Sequence, residues 1–260
     1  MNSCPGPITP RNPSNTWPEN SAYTTTLALT YDGTAVATLE LTGGDYSSAT
    51  VKPDPNISGA FDLTYCFMPG TRICTPTGEI AVEMLKRGDM IVTADRRSVP
   101  VSWIGRQTIS ARFADPVRVL PIRIKGGALG DNVPSRDLLL SPDHAILIGD
   151  ILVQAGALVN DISIVRETSG PKTFTYYHVE LDDHSLVLAE NTPAETFIDN
   201  VDRLAFDNWE EHLALYPEGK PIVEMPYPRA KAQRQVPRAI REQLSRQYTM
   251  GLAGAPAVAA

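Results

Sequence analysis

Hydrophobic and polar residues alternate with period two through the middle of this 260-residue chain, in short runs rather than long ones. Ile80-Ala81-Val82, Met90-Ile91-Val92-Thr93, Val99 to Trp103, Val117-Arg118-Val119, Ile122-Arg123-Ile124, Leu138-Leu139-Leu140, Ala145 to Ile148 and Ser185 to Leu188 are the runs. Gly, Pro and Asp punctuate them at close spacing and few sustained helical periods intervene, which predicts an all-β domain from residue 66 to about residue 200. The exception is Val82 to Asp89, one helical turn closed by Gly88. Upstream, Leu27, Leu29 and Tyr31 alternate with polar neighbours, Asp32-Gly33 is a favoured two-residue turn, and Ala35, Ala37, Leu39 and Leu41 alternate on the return, so a β-hairpin is expected. A lone hairpin is marginally stable and must pack on the rest of the chain or on a partner. Residues 1 to about 22, rich in Pro, Asn and Ser, offer little apolar surface and are expected to be poorly ordered. Beyond residue 200 the pattern predicts a short helix over Trp209–Leu215, an extended stretch over Pro221–Pro228, and a helix over Pro237–Tyr248 with proline in its first turn. Three segments follow: 1–65 with the hairpin, 66–200 as the all-β domain, and 201–260 as a partly helical extension.

Composition narrows the functional classes. The chain is 42% hydrophobic, ample for a core, and its net charge of −7 provides no general attraction to nucleic acid or to an anionic membrane. Arg229, Lys231, Arg234, Arg238, Arg241 and Arg246 make the extension locally basic, read first as a solvated face and second as a contact with the acidic body. Cys4, Cys66 and Cys74 are odd in number and contain no Cys-x-x-Cys pair, which argues against a disulfide framework or structural zinc and leaves at least one thiol free. No secretory signal and no bilayer-length apolar run is visible, so cytoplasmic residence is the default, with export by another route left open.

The candidate chemistry lies in Cys66-Phe67-Met68-Pro69-Gly70-Thr71, in Ser141-Pro142-Asp143-His144, and in the stretch from Tyr176 to His184. With Leu85-Lys86-Arg87-Gly88-Asp89, Trp103-Ile104-Gly105 and Glu180 to Leu188, these motifs, in this order, resemble the Hint domain, the fold shared by inteins and the autoprocessing half of Hedgehog proteins. Bacterial Hint-domain proteins are the most similar. The resemblance covers about half of the chain. It implies a flat, pseudo-symmetric, horseshoe-like all-β fold whose first residue, Cys66, is a nucleophile.

That chemistry also follows from the residues. A thiol attacking the carbonyl of Tyr65 acts on a bonded neighbour through a five-membered ring, with near-ideal proximity. An amide is more stable than a thioester, so the site must strain the Tyr65–Cys66 peptide, protonate the departing amine and stabilise the oxyanion. His144 is the candidate proton donor, since imidazole titrates nearest neutrality. Ser141 would hold the scissile peptide by a hydrogen bond; where the family usually has threonine, serine keeps the hydroxyl and loses the methyl that restricts its rotamer. By resemblance, His184 assists later steps, although a strand-capping hydrogen bond explains it equally well. His178 stands where many inteins carry an aspartate that helps to activate the thiol, and the exchange favours a structural role. Cys74 reads as an inert core residue and Asp143 as a turn residue.

Two departures select the branch of chemistry. Splicing needs a His-Asn ending followed by Cys, Ser or Thr, and the chain offers Glu190-Asn191-Thr192 instead. A sterol-binding extension would be apolar, whereas the residues after 200 are polar and proline-rich. The expected activity is a single-turnover, autoproteolytic N-to-S acyl shift at Tyr65–Cys66, with the chain's own first 65 residues as substrate. The thioester is resolved by water or by an unidentified nucleophile, with no cofactor. Three alternatives stand beside it: an inactive Hint-fold binding or structural protein, a cysteine hydrolase of external substrates, and a metal site of Cys66, His144 and His184.

Overall fold

Runs of aliphatic and β-branched residues become strands largely where the alternation places them. The structure, a computed structural model, describes residues 24–31, 34–42, 66–110, 116–197 and 206–245. In chain order the strands are β1 (Thr24–Tyr31), β2 (Thr34–Thr42), β3 (Arg72–Thr75), β4 (Gly78–Ala81), β5 (Met90–Val92), β6 (Ser98–Pro100), β7 (Trp103–Ser110) and β8 (Ile122–Ile124). They continue as β9 (Leu138–Leu140), β10 (Ala145–Ile148), β11 (Ile151–Gln154), β12 (Ile164–Arg166), β13 (Thr173–Glu180), β14 (Leu186–Ala189), β15 (Thr192–Glu195) and β16 (Arg229–Ala230). The helices are α1 (Pro116–Val119) and α2 (Trp209–Leu215), with α3 over 238–245. Among the described residues no helix is long and apolar enough to cross a membrane.

The turn expected at Val82 forms as a 3-10 helix over Val82–Met84, and α2 takes the expected span. Val117-Arg118-Val119 departs from expectation: it is helical, because Pro116 presets a helical φ at the first position. The expectation of disorder in residues 1 to about 22 falls outside the described residues, as does the Asp32-Gly33 turn.

The hairpin belongs to a compact unit of its own, residues 11–61, apart from the unit containing residues 62–260. Within it β1 and β2 pair antiparallel from Thr24↔Thr42 to Tyr31↔Thr34, with a register shift after Leu29. That shift is a bulge of one extra residue on β2, which sharpens the local twist.

In the larger unit a seven-stranded sheet runs β16-β11-β10-β15-β14-β3-β4, beside a three-stranded sheet β12-β8-β9 and the pairs β13-β7 and β5-β6. The main core gathers Ile73, Ile91, Ile122, Leu140, Ile146, Val153 and Val187. A second cluster surrounds Cys66 with Trp103, Phe174, Tyr176, Phe197 and Phe206. The β14–β15 hairpin turns on Glu190 and Asn191, both at positive φ (45° and 63°). This is the conformation that a two-residue hairpin turn demands and that Asn tolerates well. Glu190 is held there by the Arg72 N–H, which donates to its carboxylate at 2.7 Å, and by the Arg136 guanidinium. Glu190-Asn191-Thr192 is therefore a hairpin turn.

The extension is woven into this unit. Arg229 and Ala230 of β16 pair parallel with Leu152 and Val153 of β11. Ala230, Val236 and Leu244 enter the main core, and Phe206 and Ile222 the second cluster. Each large apolar side chain buried in this way contributes about 1.5–3 kcal/mol. Two buried carboxylates also meet basic side chains of the extension. Glu180 lies 3.1 Å from His212 Nε2 and 3.2 Å from Lys220 Nζ, and Glu195 lies 2.7 Å from Arg229 Nη2.

Candidate active site

Residues 66–68 are clamped between two strands. Phe67 donates its N–H to Tyr177 O at 2.7 Å and accepts the Tyr177 N–H at 2.9 Å, while the Met68 N–H reaches Leu139 O at 3.2 Å. The clamp fixes the main chain of Cys66 between β9 and β13. Ser141 follows β9 directly and grips Cys66 twice: the Cys66 N–H donates to Ser141 Oγ at 2.8 Å, and the Ser141 N–H donates to Cys66 O at 2.9 Å. The nitrogen that acyl transfer would release is thus held by the hydroxyl expected to hold it. Tyr65, the other half of that peptide, lies outside the described residues.

Cys66 is a free thiol, fully buried. Burial pushes its pKa well above the ordinary value, so the resting sulfur is protonated. The nearest ring is His178, with Nδ1 3.6 Å from Sγ. His178 sits on β13 opposite Gly105 of β7 and packs edge-on to Phe197 and Phe206. The sequence favoured a structural role for His178; the structure sets its ring against the sulfur. The signal was present: Phe174, Tyr176 and His178 alternate with the exposed or half-buried Thr173, Thr175 and Tyr177, which puts His178 on the inward face, beside Cys66 and Tyr176.

His144 closes the turn that Ser141 opens, its N–H donating to Ser141 O at 3.1 Å. Its ring is buried, meets Phe67 edge-on at 4.4 Å between centroids, and places Nε2 3.1 Å from Glu195 O. A carbonyl only accepts, so Nε2 carries the hydrogen and Nδ1 of the neutral ring is a bare acceptor. Burial pulls the pKa of His144 down; the Glu195 carboxylate and main-chain contacts with Cys66 and Glu195 oppose that, and Arg229 reinforces it. The resting ring is neutral.

His184 is placed against a different partner. Its Nδ1 accepts the Met225 N–H at 3.0 Å and its Nε2 lies 3.6 Å from Glu195 Oε2. The structure therefore brings Cys66, Ser141 and His144 together, adds His178, and sets His184 behind Glu195. Of the three residues of the metal alternative, Cys66 faces His178 while His184 faces Glu195 and Met225. Cys74, expected to be an inert core residue, is buried in a core cluster and is disulfide-bonded.

Glu195 is the residue that sequence reasoning passed over. Its Oε1 accepts the Ala145 N–H at 2.9 Å, its Oε2 pairs with Arg229, and its carbonyl meets His144. A single acid in Thr192-Pro193-Ala194-Glu195 carries no spacing signature; only the buried pairing identifies it.

A family model described as the Hint domain matches residues 65–201. No curated protein matches. Among solved structures, the solution structure of a bacterial intein-like domain from Clostridium thermocellum is 20% identical, covers 52% of this chain and 100% of its own, and has a TM-score of 0.39. The MchDnaB-1 intein is 12% identical over 50% of this chain and 99% of its own, with a TM-score of 0.36. The gp41-1 intein is 13% identical over 51% and 98%, with a TM-score of 0.34. With a family model spanning more than half of its length, beginning one residue ahead of the clamped cysteine, this chain belongs to the Hint-domain family, a membership that supports self-processing in general.

Proposed function

We propose that this chain rearranges and cuts its own backbone at Tyr65–Cys66. Cys66 Sγ attacks the carbonyl carbon of Tyr65; the Sγ–C bond forms, the C–N bond breaks, and the thiol proton ends on the freed Cys66 amine. His178 Nδ1, 3.6 Å from the sulfur, takes the proton from a thiol that burial otherwise keeps neutral. Ser141 orients the scissile nitrogen and His144 protonates it as it departs. Because the resting His144 ring is neutral, its proton must first arrive; it is the one His178 takes from the thiol, passed on to His144 before the C–N bond breaks, so that a single proton moves from sulfur to nitrogen. Water or another nucleophile then opens the thioester, separating residues 1–65 from 66–260.

The observation that carries this reading is the pair of contacts on the two reacting atoms of one residue: the nitrogen on Ser141 and the sulfur on His178. A second reading, an inactive Hint-fold structural protein, draws support from the complete burial and raised pKa of the thiol.

Intact-mass analysis separates them. Incubation with dithiothreitol or hydroxylamine should yield fragments divided between residues 65 and 66, and Cys66→Ala should abolish them while His178→Ala slows them. Fragments that persist in Cys66→Ala would falsify the assigned nucleophile, and an uncut wild-type chain would favour the structural reading.

A further inference from the structure

The extension crosses the domain twice, and its second crossing reaches the residue behind His144. Met225 caps His184 through its N–H, Arg229 enters Glu195 from β16, and the same guanidinium also binds Glu224 of the extension. Arg229 is mostly buried, as is the carboxylate it holds. The other oxygen of Glu195 pins the Ala145 N–H, at the residue directly after His144. The Glu195 carbonyl accepts from His144 Nε2 and so sets the tautomer of that ring. One extension side chain thus bears on both the position and the protonation of the candidate acid.

We infer that residues 220–230 are a working part of the processing site, with Arg229 a positioning residue that holds Glu195 so that Glu195 fixes the ring and tautomer of His144. This rests on the self-cutting reading above. Lone burial of apolar surface would not need a guanidinium here: an arginine in a closed interior stays only when its planar fork is satisfied, and the two carboxylates of Glu195 and Glu224 satisfy it. The groups facing Glu195 are His144 and the Ala145 N–H from the turn and β10, His184 from ahead of β14, and Arg229 from β16. The groups facing His144 are Cys66, Phe67 and Glu195, with the positive charge of Arg229 behind them. Without that charge, the Glu195 carboxylate acts unopposed on His144 and the ring accepts a proton more readily. With lysine in its place the charge returns and the fork does not.

The test has two readouts. Imidazole titration by NMR is carried out on uncut Cys66→Ala protein, alone and combined with Arg229→Met or Arg229→Lys. The His144 midpoint should rise in the methionine variant and return towards the parent in the lysine variant; a midpoint unmoved by Arg229→Met overturns the inference whether or not the chain cuts itself. In chains that keep Cys66, Arg229→Met should slow cleavage about tenfold or more and shift its pH profile in the same direction as the titration. Arg238→Ala, on an exposed i,i+4 pair with Glu242, should leave rate and profile unchanged. A slower rate with an unmoved profile reduces Arg229 to a structural part and overturns the positioning role. Titrations that shift as expected, together with a wild-type chain that never cuts, sink the self-cutting reading alone. Thermal melts of each variant establish that the domain remains folded.

Discussion

Replacing Glu195 by glutamine removes one buried charge and nearly preserves the side chain's size, so its effect on stability should carry a pH signature. Burial raises the pKa of this carboxyl, but the hydrogen bonds and charges of His184, Arg229 and His144 win, pulling it from 4.5 down to about 2. A carboxyl with a lower pKa folded than unfolded stabilises the fold fully above its unfolded pKa, and loses that contribution as pH falls towards the folded value. The difference between 4.5 and about 2 corresponds to roughly 3 kcal/mol at pH 7. By pH 3 less than half of it remains. Breaking the pair also strands the Arg229 guanidinium in the interior at every pH, which adds to the loss. Urea unfolding of Cys66→Ala protein, with and without Glu195→Gln, reads the difference at pH 7, 5 and 3. The gap between the two chains should be similar at pH 7 and 5 and narrow by about 2 kcal/mol at pH 3. A gap that is constant from pH 7 to 3, or below about 1 kcal/mol at pH 7, would refute the pairing.

Two further outcomes are expected. Ser141→Ala leaves the buried Cys66 N–H without its acceptor, costing about 1–3 kcal/mol of stability and slowing any cleavage more than about tenfold; Ser141→Thr should preserve both, and wild-type cleavage by the alanine variant would remove Ser141 from the mechanism. Gly105→Ala would place a methyl 2.8 Å from the rings of Phe206 and Trp103, an overpacking of about 1–3 kcal/mol visible as a lower Tm, and an unchanged Tm would show that the rings give way.

Much of the strand pattern was legible because side-chain alternation is local: β8, β9, β10 and β14 fall where short apolar runs are bounded by turn residues. Pro116 carried the clue that turned Val117-Arg118-Val119 into a helix, but the apolar alternation outweighed it. The motif residues Ser141 and His144 were legible together because one tight turn joins them, and their approach to Cys66 followed from the family resemblance. His178 was visible as a position and not as a role, since only the close pairing of β13 with Phe67 brings it against the sulfur. Glu195 carried no signal, and Arg229 was legible only as one charge of a basic extension read first as a solvated face. Their meaning arises from a parallel pairing of β11 with β16, across roughly 75 residues, and no local spacing encodes such a contact. The basic extension illustrates the same limit: Arg238 pairs with its own helix neighbour, while Arg229 is mostly buried against Glu195.

Two of the interior acids, Glu180 and Glu195, precede in the chain the Lys220 and Arg229 that neutralise them. A ribosome extending the polypeptide by about 5–20 residues each second makes the anions first and their counter-charges a few seconds afterwards. Through that interval neither acid can be shut away from water without a large penalty. The pocket housing His144 therefore matures late in biosynthesis, on a schedule set by residues that take no part in bond breaking.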